Sequence, residues 1–364
     1  MATGTCGKPK QLELPNQEKF MGKIVHSSHL DGVDLENKRV LIVGGGASGV
    51  EALQLAVKKG AKKPMILARS DKWFIPPNVF VDTILALNPL GRPTIFRYIV
   101  EPLLRKLHYR DLDAKMAPVG VPLYSSTPVV NSGSLDDIRA GRADYIRGDV
   151  KELQRDSVKF NKRTRGTKAG DKGQEVTYKA DVIVVATGFD VPSLSFLPED
   201  YLFPDDFSRP NLFLNVFSVN DVSVSLTNAA FVGALGTVGH FHIGVYSRIL
   251  AMFLLDEKTR PHPRDTRLWV DGIRFIKENA NGLNFFSYSE LTAWLVMFCF
   301  FRRERIGYFF WVLAGYGYWA REGPKGQPKF HWSVNKLLPR GLQSKEAKRK
   351  SLNAKAPAAV NGAH

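Results

Sequence analysis

The sequence predicts an α/β chain built on a parallel sheet, and three observations carry that prediction. Arg39-Val40-Leu41-Ile42-Val43 and Asp181–Ala186 (DVIVVA) are short, continuous apolar runs. Such runs mark strands buried on both faces rather than one. A glycine-rich break, Gly44-Gly45-Gly46-Ala47-Ser48-Gly49, follows the first run directly. Beyond it, Val50, Leu53, Leu55, Ala56 and Val57 recur at helical spacing, and a second strand reads from Pro64 to Ala68. Strand, loop, helix and strand thus fit within about thirty residues, the length such a unit requires.

The other elements follow in chain order. Residues 1–37 mix polar and apolar groups with little helical period. Residues 71–127 interrupt the alternation and read as a helical insertion. They hold Pro76-Pro77, an expected helix around Val79–Leu87 and an amphipathic stretch from Ile95 to Leu107. The strand pattern resumes at Asp144–Arg147. It crosses a basic loop to Glu175–Tyr178, then enters DVIVVA, which Thr187-Gly188 closes. A later apolar run, Ala229–Val232, meets Gly233, Gly236 and Gly239, and a helical pattern spans Gly244–Leu255. An aromatic-rich region covers 285–319, and the Lys- and Ala-rich tail at 343–364 reads as disordered.

Charge and cysteine content bound the function classes. The 364 residues carry a formal net charge of +16. The tail 343–364 and the segment 161–173 each contribute +4, and both are expected to be mobile. A basic face interleaved with aromatic residues is not evident, which argues against nucleic acid as a partner. Two cysteines, Cys6 and Cys299, cannot build a disulfide framework and suit a reducing compartment. The opening residues MATGTCGKPKQ lack the apolar core of a secretory signal, so a cytoplasmic location is expected. The longest apolar stretch, Leu291–Phe301, is roughly half a membrane span. Two readings stand for 291–319. One is helices buried against a large domain, which the length favours; the other is an interfacial hairpin touching the cytosolic face of a membrane.

Gly44, Gly46 and Gly49 fit G-x-G-x-x-G between a strand and a helix, the setting of a Rossmann dinucleotide site. Gly44 permits the tight turn, Gly46 lets backbone approach a pyrophosphate, and Gly49 lets helix and strand pack closely. Ala47 and Ser48 would offer N–H groups to the phosphates at the helix N-terminus. The competing reading is a glycine-rich turn with no ligand. Where an NAD site commonly carries an acidic residue, this chain has Arg69, followed by Ser70 and Lys72. Two cations there suit a 2′-phosphate, hence NADP(H), unless both are merely solvated surface charges. His240 and His242 lack a third ligand nearby, so no metal is expected, and no nucleophile or general base is identified.

Phe20-Met21-Gly22-Lys23-Ile24-Val25-His26, with Asp31, resembles the F-x-G-x-x-x-H identifier of the class B flavin-dependent monooxygenases. Its spacing to Gly44 matches that family, whereas Leu30 stands where the family usually has an aromatic residue. DVIVVATGFD at 181–190 resembles the family's ATG segment, and Thr127–Asn131 its segment ahead of the third strand. The resemblance spans roughly residues 1–320. It implies a Rossmann-type architecture with two dinucleotide-binding domains, cofactors FAD and NADP(H), and a C-terminal helical extension. It also implies transfer of one oxygen atom from O₂ to a small, lipophilic molecule, with Thr187 and Gly188 turning close to a cofactor.

Only the second nucleotide fold is complete in this reading. Met1-Ala2-Thr3-Gly4 resembles the end of the first fold, so the N-terminal FAD half is expected to be incomplete. The implied division is 1–37 as FAD-domain remnant and linker and 38–188 as the NADP domain. The C-terminal part of the FAD domain with aromatic helices follows over 189–342, then the tail. Several origins stay open: a truncated gene model, an internal start, a decayed paralogue, or half of a split enzyme with a separate FAD-domain chain. The alternative function is a non-catalytic NADP-binding protein derived from such an enzyme.

Overall fold

A computed structural model describes residues 4, 6–78, 97–123, 128–190, 192–197, 199–207, 210–226, 240–277, 288–302, 305–314, 321–322 and 328–329. The expected helix at Val79–Leu87, Thr127, the glycine-punctuated run 229–239 and the tail 343–364 lie outside the described residues, as do Met1-Ala2-Thr3 and the side chains of His240 and His242.

One sheet of seven strands organises the first half of the chain. Its strands are β1 (Lys23–His26), β2 (Val40–Val43), β3 (Met65–Ala68), β6 (Asp144–Gln154), β7 (Ser157–Lys162), β8 (Gln174–Lys179) and β9 (Val182–Val185). They stand in the order β1-β9-β2-β3-β6-β7-β8. The first five are mutually parallel, and β7 and β8 extend the edge antiparallel. The short pair β4 (Phe74–Ile75) and β5 (Val129–Val130) forms a separate parallel ladder.

The apolar runs are explained by burial on both faces. Val40, Ile42, Ile66, Ala68, Val182 and Val184 point to one side. There they meet Val50, Leu53 and Ala56 of helix α1 (Ala47–Lys58) and the insertion's Trp73, Tyr109 and Met116. The alternating residues Leu41, Leu67, Ile183 and Val185 point to the other side, onto Leu14, Phe20, Leu153, Val158 and Phe160. Each such aliphatic side chain contributes about 1.5–3 kcal/mol when fully buried.

The insertion keeps its helical character with a break in geometry. Helix α2 (Arg97–Leu103) carries Pro102 and widens into a π-helical turn over Leu104–Tyr109. Proline has no N–H for the regular ladder, and the pitch changes just beyond it. The turn delivers Tyr109, fully buried, to accept the Phe74 N–H on its hydroxyl at 2.7 Å.

The basic segment 161–173 is not the mobile loop that its composition suggests. Arg163 is buried, donates to Asp149 at 2.8 Å and reaches the Arg69 carbonyl at 2.5 Å. Arg165 donates to the Ala117 carbonyl at 2.7 Å. Two of the five cations are therefore structural, recruited by carbonyls and carboxylates distant in sequence.

After helices α3 (Asp113–Met116), α4 (Gly133–Arg139) and α5 (Glu199–Leu202), a second core gathers helices α6 (His240–Leu255), α7 (Pro263–Lys277), α8 (Tyr288–Phe300) and α9 (Ile306–Ala314). Phe217, Ile249, Phe253, Leu295 and Val312 are at its centre. Lys277 and Glu290 form an ion pair inside it, each side chain only 2% exposed, and Asn215 donates to Glu290 at 2.8 Å. Both α8 and α9 enter this core, as the buried reading of 291–319 expects, while Met297, Phe300, Phe301 and Phe310 face outward. Among the described residues no helix is long and apolar enough to cross a membrane. Cys6 is exposed and Cys299 buried, with no disulfide between them; burial pushes the Cys299 thiol up to about 12.

At the amino end of the sheet, Asp181 ties three strands together. Its carboxylate accepts the Arg39 backbone N–H at 2.7 Å and the guanidinium at 2.5 and 3.0 Å. Its carbonyl accepts from Lys23, and its N–H donates to Arg39. The hydrogen bonds from Arg39 hold the Asp181 carboxyl down to about 2, against roughly 3.9 in an unfolded chain. The folded value is depressed, so this stabilisation is complete above about pH 4 and is lost as pH falls toward 2. Asp181→Asn is expected to cost about 1 kcal/mol at pH 7, a figure already reduced for partial exposure. Urea midpoints of both proteins at pH 7 and pH 3 check this: the gap should narrow at the lower pH.

Candidate functional site

Strands β9, β2 and β3 end side by side, and their carboxyl ends form the site. From β2 the chain runs through α1 to β3 on one side, while β9 lies on the other. The crevice between β2 and β9 is therefore the switch point at which open α/β sheets bind ligands. Gly44 leaves β2 at φ +126°, a conformation that side chains rarely adopt. A Cβ there would lie 2.3 Å from the Ala186 carbonyl oxygen, and one at Gly49 would lie 2.0 Å from the Gly44 carbonyl oxygen. These two glycines let the helix settle onto the ends of β2 and β9. Gly45 is the packing glycine that the motif did not single out, since a Cβ there would press on Ala68 at 2.9 Å. A Cβ at Gly46, by contrast, would meet nothing within 4 Å, so this backbone faces open space.

Helix α1 begins with no cap of its own. Gly46 is its N-cap, without a side-chain hydrogen bond, and the first turn contains no acidic residue. Ala47 is exposed and Ser48 half-buried. The N–H groups of a first helical turn have no acceptor within the helix, and the macrodipole adds partial positive charge. Backbone so arranged could hold an anion such as a pyrophosphate.

Charge at the end of β3 is sorted by burial. Arg69 is 81% exposed, with Nε 3.9 Å from Asp149. Asp149 already accepts from the buried Arg163. Asp71 is paired with Arg147, itself buried, which also donates to the Met116 carbonyl at 2.8 Å. Both local carboxylates are thus neutralised from within the protein. Lys72 is half-buried, its pKa lowered by that burial, and no carboxylate among the described residues pairs with it. The surplus left at this edge is Arg69 and Lys72. Sequence reasoning found these two but missed Arg147 and Arg163, whose partners come from remote segments.

Thr187 and Gly188 follow β9 beside the glycine loop, to which Ala186 links them: its N–H donates to Val43 at 2.8 Å. Gly188 has φ +89° with open space where a Cβ would stand. Its carbonyl accepts the Lys10 N–H at 3.0 Å and faces His26 Nε2 at 3.2 Å. Residues 7–10 and 188–190 pair antiparallel through Gly7–Asp190, Asp190–Lys8 and a Pro9–Phe189 bridge. The Thr187 hydroxyl donates to the Lys10 carbonyl at 3.4 Å, so it fastens this strap. His26 Nδ1 accepts the Ser28 N–H at 3.2 Å, which leaves Nε2 as the donor to Gly188. His26 is a structural hydrogen-bonder, as a histidine in a linker is expected to be.

The structure therefore brings Gly44, Gly46, Ala47, Ser48, Gly49, Arg69, Thr187 and Gly188 to one end of the sheet, with Lys72 three residues beyond Arg69. Among curated proteins, indole-3-pyruvate monooxygenase YUCCA1 of Oryza sativa subsp. japonica is 30% identical over 206 residues, covering 53% of this chain and 47% of that protein. FAD-containing monooxygenase EthA of Mycolicibacterium smegmatis is 24% identical over 210 residues, covering 49% of this chain and 40% of that protein. The chain spans about half the length of the curated relatives it matches. An open crystal structure of cyclohexanone monooxygenase shares the fold at a TM-score of 0.50 and 13% identity, covering 81% of this chain and 71% of that one. No family model matches. Over about half of its length the chain is thus similar to flavin-dependent monooxygenases, and it shares the fold of one of them.

Proposed function

We propose that the crevice at Gly44–Gly49 binds NADP(H), and that the chain serves an FAD- and NADPH-dependent monooxygenase acting on a small, lipophilic molecule. The observation that carries this reading is the uncapped α1 N-terminus beside Arg69 and Lys72. In it, the N–H groups of Ala47 and Ser48 hold the pyrophosphate, and Gly46 lets it come close because no side chain fills that space. Arg69 and Lys72 take the 2′-phosphate. Two cations left over by internal neutralisation match a dianion, whereas a ribose hydroxyl would leave a half-buried ammonium without a counter-charge. Thr187 and Gly188 line the turn beside the loop.

NADPH supplies reducing equivalents when bound, and FAD supplies the oxygen chemistry, in keeping with the FAD named for EthA. The sequence contains a single G-x-G-x-x-G, so no residue is assigned to FAD. What this chain contributes to the reaction is orientation. Rigid strand ends fix the cofactor's phosphates, and the strap at 188–190 fixes the turn beside them.

Calorimetric titration tests the site. The double variant Arg69→Ala/Lys72→Ala should weaken NADP⁺ binding by roughly tenfold to a hundredfold, the loss expected for two charge-assisted contacts to phosphate. NAD⁺ affinity should stay within about twofold, and an equal loss for both nucleotides would sink the 2′-phosphate assignment. Gly46→Ala should melt near the wild-type temperature yet bind NADP⁺ at least about tenfold more weakly. Gly49→Ala should lose about 1–3 kcal/mol of stability or fail to fold, because its methyl group would overlap the Gly44 carbonyl. Oxygen uptake with NADPH, FAD and a panel of lipophilic ketones, amines and sulfides addresses the enzyme reading. NADP⁺ binding without uptake under any of these conditions would favour the non-catalytic alternative.

A further inference from the structure

A groove in the C-terminal helices owes nothing to the glycine loop. It runs between α7 and α8 and encloses about 990 Å³, at the upper end of the range for small-molecule sites. Its walls are apolar, with Trp269 and Ile273 on α7 facing Trp294 and Met297 on α8. The buried Lys277–Glu290 pair closes one part of the lining through Glu290. At the mouth, Leu268 and Phe301 are 71% and 81% exposed.

The rim carries the opposite character. Lys258, Arg260, Arg302 and Arg305 all line the groove. Arg260 donates to the Phe253 and Leu254 carbonyls at 2.6 and 3.2 Å. Arg305 lies 4.3 Å over the Phe298 ring and donates to the Lys258 carbonyl at 2.5 Å. The side chains of Lys258 and Arg302 pair with no carboxylate among the described residues. Against these four cations the described lining offers Asp265 and a Glu290 already committed to Lys277. Apolar walls select a chain, and a cationic rim selects an anionic end.

We propose that this groove binds a single-chain anionic amphiphile of the fatty-acid class. The alkyl chain lies between α7 and α8, and the carboxylate rests on Lys258 and Arg302. The inference is independent of NADP(H) binding and of any oxygenation.

Trp269 and Trp294 line the groove, so intrinsic fluorescence reports occupancy. The full chain is titrated with dodecanoate and with dodecanol, each below its micellar concentration. A saturable response is expected, at least tenfold tighter for the acid. Lys258→Glu/Arg302→Glu should reduce that preference to less than twofold while dodecanol still binds. Ala293→Trp, which fills the groove, should abolish both responses, and unchanged NADP⁺ binding or circular dichroism certifies each fold. If Ala293→Trp does not fold, the rim variant decides. Equal affinity for acid and alcohol, an unsaturable response, or a response confined to phosphatidylserine vesicles would overturn the proposal, the last by assigning the face to a bilayer.

Discussion

The site rests on a contact that only missing side chains allow. At Gly49 a single methyl group would stand 2.0 Å from the Gly44 carbonyl oxygen, and at Gly44 one would stand 2.3 Å from that of Ala186. Because neither carbon exists, the first turn of α1 sits directly on the ends of β2 and β9. The same approach aims its unsatisfied N–H groups into the crevice between those strands. A larger separation would leave the helix packed but its positive end away from the switch point. The packing constraint and the proposed anion site are thus one feature, and Gly46 differs from its neighbours because its surroundings are open rather than crowded.

Electrostatics at the neighbouring strand end depend on groups that never reach the surface. Arg147 and Arg163 are buried, and each occupies a carboxylate, Asp71 and Asp149 respectively. Without Arg163, Asp149 would have Arg69, 3.9 Å away, as its remaining cation, and without Arg147 the Asp71 carboxylate would stand unneutralised at the same strand end. Arg163 directly follows the antiparallel strand β7, so the extension of the sheet also governs the potential at the end of β3. Burial keeps both arginines out of reach of a ligand. Their role is to hold charge in place and, through the Arg69 carbonyl, backbone as well.

Much of this was legible in the sequence because it is written locally. Continuous apolar runs announce strands buried on both faces, and the alternation of Leu41 with Val40 and Ile42 between two cores bears that out. The glycine loop encodes its own turn. Arg69 and Lys72 could be placed because they follow the apolar run that ends at Ala68. What stayed hidden is what depends on distant partners. Arg163 and Arg165 read as solvated cations, since composition does not reveal that Asp149 and the Ala117 carbonyl lie beside them. The amphipathic stretch 95–107 gives no sign of the π-helical turn that follows Pro102 and places Tyr109 in the core. The groove of the C-terminal helices is lined by residues of two helices and the loops beside them, and no single segment carries that pattern.

The strap across Gly188 gives the segment before β1 a part in the site. Lys10 and His26 both donate to the Gly188 carbonyl, and Gly7 to that of Asp190, so the backbone leaving β9 is held by residues more than 150 positions earlier. Gly188 adopts φ +89°, a conformation in which a glycine turns freely. Left to itself, that turn would sample many directions beside the glycine loop. Two hydrogen bonds on one carbonyl select a single direction, and the Phe189 ring meets His26 edge-on at 5.2 Å. The F-x-G-x-x-x-H segment therefore has a physical reason to precede a nucleotide fold: its histidine fixes the peptide at which the chain leaves that fold again.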